Sequence, residues 1–277
     1  MTKNNLDTRT IEGFGVEWAR FDQSKLPDGE FDDLFENYFG IFDFGRLGPG
    51  AVGFDAGCGS GRWARGVAPR VGVLHCVDAS PRALDVARAA LGHFSNCRFH
   101  LAPIDNMPFA DASMDFGYSL GVLHHLPDPQ EGLKSCTAKL KRGAPFLLYL
   151  YYAFDNKPAW YRLLWRASNA CRLVIARLPA RLRTLVADVT AVCCYWPLAR
   201  TARLLERCGY DVSSFPLAFY RRLSFYTMRT DALDRFGTRV EHRFTRRQIG
   251  QIMKTAGLVD VHFSDRAPYW CAIGTRA

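Results

Sequence analysis

The chain has 277 residues, 48% of them hydrophobic and 13% aromatic, which excludes a disordered protein and allows one sizeable core with a large embellishment. Its formal charge of +9 is uneven: between Asp155 and Glu241 fifteen Lys and Arg stand against seven Asp and Glu, so something anionic or interfacial is expected there. Nine cysteines, scattered without CxxC pairs or zinc-type His spacing, argue against a disulfide framework and against a metal site, and read as buried thiols.

The opening MTKNNLDTRT has no apolar leader, and no run of about twenty apolar residues follows, so a cytoplasmic chain is expected. Residues 1–49 read as an N-terminal helical segment, with FGVEWARF at 14–21 and one or two helices in EFDDLFENYFGIFDF. From residue 50 short β-rich runs alternate with helical ones: AVGFD, a helix from about Arg62, VLHCVD, PRALDVARAAL, CRFHL, MDFGYSL, PQEGLKSCTAKL and PFLLYLYY. That alternation predicts a mostly parallel α/β sheet covered by helices on both faces, with its core over 50–154.

After Tyr152 the rhythm breaks, and residues 155–241 read as a helical, basic insertion. Within it, AWYRLLWRASNACRLVIARL carries Trp160, Leu163, Leu164, Ala167, Cys171, Val174, Ile175 and Leu178 at helical spacing, with arginines largely on the remaining positions. Pro179 and Pro197 divide the helical segments and Gly209 closes the last. The sheet resumes over 242–277: FTRRQIGQIMKTAGL predicts a helix with Thr245 as N-cap and Gly257 near its end, and VDVHFS and PYWCAIGTR two further strands.

The stretch VGFDAGCGSG, residues 52–61, carries the chemistry. A glycine turn between a strand and its helix bares backbone N–H groups where the helix dipole favours negative charge. A P-loop needs Lys followed by Ser or Thr after its last glycine, but Arg62 and Trp63 follow Gly61, so ATP and GTP are disfavoured. The dinucleotide fingerprint started at Gly57 and Gly59 needs its third glycine at position 62, where Arg62 stands, which leaves NAD second.

What remains is D-x-G-x-G-x-G from Asp55, and with it the chain resembles the class I S-adenosylmethionine-dependent methyltransferases, within them the group similar to ubiquinone/menaquinone C-methyltransferases (methyltransferase type 11). Four ordered stretches carry the resemblance: VGFDAGCGSG, LHCVDAS, IDNMPFADASMDFGYSLGVLHHLPDP and LKSCTAKLKRGAPFLLYL. It covers roughly residues 50–152 and 243–277, and implies a Rossmann-like doubly wound, seven-stranded sheet with 155–241 as an inserted cap over the acceptor. S-adenosylmethionine is the implied cofactor and S-adenosylhomocysteine the product.

The implied cofactor-binding set is Trp18, Asp55, Gly57, Cys58, Gly59, Gly61, Asp78, Ala79, Ile104, Asp105 and Leu120. Asp78, at the tip of the second strand, can accept hydrogen bonds from both ribose hydroxyls. Asp55 would face the cofactor's ammonium group. The acid that usually precedes the LPF stretch is replaced by Ala102, Pro103 and Ile104, so either Asp105 or the Ile104 backbone meets the adenine. Trp18 and Phe21 would exclude water around the sulfonium, or else bury the N-terminal helix.

Methyl transfer from a sulfonium is an in-line displacement that needs no metal and no covalent residue, only positioning and, for a hydroxyl acceptor, a base. His124 in GVLHHLPD is the implied base; the other reading is that His124 and His125 only pack within the loop. Arg221, Arg222, Arg229 and Arg239, with Tyr220, Phe225 and Tyr226, suit a small or amphiphilic anionic acceptor, most simply methylated at oxygen. A basic amphipathic face in the insertion would equally allow peripheral contact with a membrane surface. Nucleic acid is the competing partner class, prompted by the basic charge, but there is no appended RNA-binding module and no NPPY-like loop after the fourth strand. Chemistry other than methyl transfer on the same cofactor, the oligomeric state and the pathway stay open at this level.

Overall fold

The computed structural model describes residues 5–277; residues 1–4 of the N-terminal segment lie outside the described residues. In chain order the elements are α1 (Thr8–Arg20), α2 (Asp28–Phe39), β1 (Val52–Ala56), α3 (Arg62–Val67), β2 (Val73–Asp78), α4 (Pro81–Leu91), β3 (Cys97–Leu101), β4 (Phe116–Leu120), α5 (Pro129–Lys139) and β5 (Pro145–Tyr149). Then come α6 (Ala159–Ile175), α7 (Ala180–Thr190), α8 (Trp196–Arg207), α9 (Phe225–Gly237), α10 (Arg246–Thr255), β6 (Leu258–Phe263) and β7 (Ala272–Arg276). They fall into two compact units, one of residues up to Ser24 with Asp32–Ala153 and Val240–Ala277, the other of Lys25–Phe31 with Phe154–Arg239.

The first unit is built on a seven-stranded sheet of order β3-β2-β1-β4-β5-β7-β6. The first five strands are parallel, while β7 runs antiparallel to both β5 and β6. The order turns back between β1 and β4, and the crevice beyond the carboxyl ends of strands at such a point is where doubly wound sheets take their ligands. Strands covered on both faces are largely apolar: Phe54, Leu74, Val77, Phe116, Phe146 and Leu148 are all fully buried. Helix starts follow their caps, with Ser80 accepting from Ala83 N–H and Asp128 from Glu131 N–H ahead of α4 and α5. At α10, Thr245 and Gln248 form a reciprocal capping box.

The second unit is helical. Pro179 caps α7 and separates it from α6, but Pro197 does not divide its segment as the sequence suggests. It stands in the first turn of α8, and α7 runs into α8 through a π-helical turn at Ala191–Tyr195. Proline has no N–H and crowds the carbonyl four residues back, and a widened turn before it accommodates both. The α9 helix is capped by Ser224, whose N–H (2.7 Å) and hydroxyl (3.1 Å) both donate to the Glu30 carboxylate.

This unit also corrects the reading of the cysteines. Cys58, Cys76, Cys97, Cys136 and Cys271 are buried, but Cys171, Cys193, Cys194 and Cys208 are exposed. The reason is orientation: on α6 the inward positions are Tyr161, Trp165, Ser168, Arg172 and Ile175, which turns the stripe of Trp160, Leu163, Leu164, Cys171 and Val174 outward. Among the described residues no helix is long and apolar enough to cross a membrane.

Candidate functional site

At the end of β1 the chain turns sharply through Gly57, Gly59 and Gly61, with φ of +84°, +54° and +79°. The turn is fastened to β2 because the N–H groups of Gly57 and Cys58 both donate to the Val77 carbonyl, at 2.8 and 2.9 Å. A side chain at Gly57 would strike Val122 within 2.4 Å, and one at Gly59 would meet the Trp18 indole at 2.9 Å. The left-handed backbone and the close approach therefore both demand glycine at these two positions.

Asp78, the last residue of β2, reaches across to this turn. Its Oδ2 accepts from Gly59 N–H at 2.9 Å and its Oδ1 from Ser80 N–H at 2.8 Å, leaving each oxygen a further lone pair. Burial raises the Asp78 carboxyl above the ordinary range, against the lowering effect of the Ser80, Gly59 and Ala79 N–H donors. Asp55 lies inside β1, is 1% exposed, and its Oδ2 has no hydrogen-bond partner among the described residues. Burial holds its carboxyl well above the usual value; the nearby Tyr118 hydroxyl opposes this and the negative charge of Asp78 adds to it. Ser60 Oγ is likewise buried without a partner among the described residues. The Tyr118 hydroxyl beside Asp55 is buried and unpartnered in the same way among the described residues; unpaired buried oxygens are costly, so this group of three beside a bare backbone turn marks a place where ligand donors belong.

Helix α1 bears on the same corner. A side chain at Gly15 would meet Ser80 Oγ at 2.6 Å, so the glycine lets α1 lie close on the start of α4. That brings Trp18, one turn further on, over Gly59. Phe21 is fully buried. Of the remaining sequence-predicted residues, Cys58 is buried; the Cys76 thiol draws its own thiol down, but burial, Asp78 and Asp55 push it up to about 11, which makes it a neutral wall. Ala79 follows Asp78 directly, and Leu120 is buried at the end of β4, the strand beside β1. Beyond β3, Ile104 is buried while Asp105 in the same turn is exposed.

His124 lies in a single 3-10 turn just past β4 and is fully buried. Its ring is 3.8 Å from that of Tyr151 and 4.0 Å from that of His125, and neither of its nitrogens has a partner among the described residues. Burial, with the neighbouring His125, Arg243 and His242, lowers its pKa well below the usual value, so the imidazole is neutral. Sequence reasoning missed its surroundings: Arg243 lies over Tyr151 at 5.1 Å and pairs with the buried Glu241 at 2.8 Å. The only local signal was the aromatic run after β5, since the partners come from ninety residues away. His125 is fixed separately, its Nδ1 2.7 Å from the Val240 carbonyl and its ring 4.9 Å from Phe14 of α1.

Of the four arginines expected to meet an anionic acceptor, three make ion pairs within their own unit. Arg221 and Arg222 both pair with Glu206, at 2.8 and 3.0 Å, and Arg229 pairs with Asp188 at 3.0 Å. Tyr220 packs on Tyr195, whereas Phe225 and Arg239 are exposed. Among the described residues there is no group of three or more His, Cys, Asp or Glu that could hold a metal ion.

A parallel sheet reversing between β1 and β4, a glycine turn at the reversal and an acid at the tip of β2 are the arrangement that the resemblance to class I methyltransferases implies. Residues 54–148 match the family profile described as "Methyltransferase domain", and S-adenosylmethionine is the cofactor of that domain. Phosphoethanolamine N-methyltransferase 2 of Caenorhabditis elegans is 31% identical over 152 residues, 53% of this chain and 34% of that protein. Ubiquinone biosynthesis O-methyltransferase of Idiomarina loihiensis is 30% identical over 157 residues, 51% of this chain and 59% of that protein. The chain thus spans under two thirds of the length of these relatives. The CurJ carbon methyltransferase shares the fold at TM-score 0.52 and 12% identity, over 90% of this chain and 56% of that one.

The residues present fit the cofactor. The unpartnered Asp55 oxygen suits a cationic donor, and the spare lone pairs of Asp78 suit a pair of hydroxyls.

Proposed function

We propose that this chain is a methyltransferase acting on a small-molecule or lipid-linked acceptor at oxygen, releasing S-adenosylhomocysteine. One observation carries the reading: the buried, unpartnered carboxylate oxygen of Asp55 lies beside a glycine turn that Asp78 already holds open. S-adenosylmethionine supplies a methyl group on a positively charged sulfur, which is electrophile enough to need no metal.

Every other task falls to the protein. Asp55 binds the ammonium end, Asp78 the ribose hydroxyls, and the backbone from Gly57 to Gly61, with Cys58 and Ala79, lines the methionyl and ribose parts. Ile104, Leu120 and Trp18 supply apolar walls that keep water from the charged sulfur, and the Ile104 backbone rather than the exposed Asp105 meets the adenine. His124 takes the proton of the acceptor hydroxyl as the O–C bond forms and the S–C bond breaks, a role its two unpartnered nitrogens support.

The test is to incubate the protein with methyl-labelled S-adenosylmethionine and a lysate of the source cells, membranes included, and to partition the products. Label in the organic or small-solute fraction is the expected outcome. Label in precipitable material removed by nuclease or protease would replace the acceptor class with a macromolecule. For His124 the expected result is at least a tenfold loss of kcat in His124→Ala, on the scale general-base catalysis commonly contributes, about a hundredfold or more. Retention of more than half of kcat would assign the ring to packing.

A further inference from the structure

The second unit carries an apolar surface that its own core does not use. On α6 the inward face is held by polar chemistry: the buried Arg172 guanidinium donates to Asn169 Oδ1 and to the Thr238 carbonyl, both at 2.8 Å. The opposite face presents Trp160, Leu163, Leu164 and Val174, between 49% and 67% exposed. The rod formed by α7, the π-turn and α8 repeats the pattern. Its inward residues are Ala187, Ala191, Tyr195, Ala199 and Ala202, while Leu182, Leu185, Val189, Val192 and Trp196 stand outward, 45% to 58% exposed. Apolar stripes of this extent mark interaction sites rather than ordinary surface.

Charge says what covers them. From residue 159 to 208 there are nine arginines and two acids, Asp188 and Glu206. Both acids are committed to ion pairs, with Arg229 and with Arg221 and Arg222, whereas Arg162, Arg166, Arg177, Arg181, Arg203 and Arg207 are exposed. A second copy of the same surface would set these arginines against their own kind. A nucleic acid would answer the charge but offers no apolar phase for the leucines and valines. An anionic bilayer offers both, phosphates for the guanidinium groups and acyl chains for the stripes, with tryptophans suited to the boundary.

We infer that α6 and the α7–α8 rod form a docking surface for an anionic lipid bilayer, on which the helices lie without crossing it. No helix among the described residues is long and apolar enough to cross. Docking of this kind is independent of whether the first unit transfers a methyl group, so the two readings fail separately.

The experiment is co-sedimentation of the 277-residue chain with vesicles of phosphatidylcholine alone, and of equal parts phosphatidylcholine and phosphatidylglycerol. The expected result is binding to the anionic vesicles at least about tenfold tighter than to the neutral ones, falling as salt is raised. The exposed-site pair Leu164→Asp and Leu185→Asp is expected to remove it with little change in Tm, while Val259→Asp on the edge strand β6 leaves it intact. Absence of binding to anionic vesicles overturns the inference. So does binding that salt abolishes but the aspartate pair leaves unchanged, or a dimer in solution that the aspartate pair dissociates.

Discussion

The carboxylate of Asp78 holds the glycine turn directly, accepting the Gly59 N–H at 2.9 Å. One side chain is thus assigned two duties, shaping the turn and offering its remaining lone pairs to the ribose. Asp78→Ala is expected to weaken S-adenosylmethionine binding by well over tenfold, about 1.4 kcal/mol per decade, and to lower the cofactor-free Tm as well. Titration calorimetry against pH sharpens the test. Because the Asp78 pKa is raised, protonation on acidification removes its charge earlier than for an ordinary aspartate, so affinity should fall as the pH drops. Affinity within about threefold of wild type in Asp78→Ala would remove Asp78 from the site.

Trp18 and Gly59 are in close contact across two segments far apart in sequence. In Gly59→Ala the new methyl group would press on the indole and sit on a left-handed backbone, a conformation costing an L-residue about 1–2 kcal/mol. Lower Tm and weaker cofactor binding are expected together. Trp18→Ala should instead weaken binding with little loss of stability, since Trp18 is only half-buried. Differential scanning fluorimetry with and without cofactor separates the two.

His75 and His100 stand side by side on β2 and β3, their ring nitrogens 2.8 Å apart. Burial, then the neighbouring His100 and Arg98, lowers the His75 pKa to about 4. The unfolded chain, titrating near the ordinary 6.5, binds a proton that the folded chain refuses, so stability is full above that value and is lost as pH falls towards 4. Urea unfolding at several pH values should show this acid-side loss. His75→Phe, which keeps a ring against Phe109, should flatten it.

Four of the nine thiols are exposed, all in the helical unit. A disulfide-exchange reagent is therefore expected to modify Cys171, Cys193, Cys194 and Cys208 in the native protein, and the other five only after denaturation. Peptide mapping identifies them. Rapid native labelling of Cys136 or Cys271, whose burial pushes both thiols far above the ordinary value, would contradict the packing described.

The sheet could be read from the chain because buried parallel strands leave continuous apolar runs, such as FLLY in β5 and FGYSL in β4, between capped helices. The glycine turn and Asp78 were legible for a different reason: the backbone there tolerates no side chain, so the residue type records the geometry. Helix α6 shows where legibility ends. Periodicity establishes that it has an apolar face, but Arg172 finds both its partners inside, and no local pattern reveals which face turns inward. His124 is similar, since Arg243 and Glu241 reach its surroundings only through the fold.

The place of β7 bears on how the molecule is made. It lies between β5 and β6, so β6 joins the sheet only through a strand that follows it in the chain. During synthesis on a ribosome, β6 must therefore wait, unpaired, until Ala272–Arg276 has cleared the exit tunnel. The parallel strands can assemble before that moment, and a translation arrest just upstream of β7 would strand a nascent chain with the open edge of β5 exposed to its neighbours.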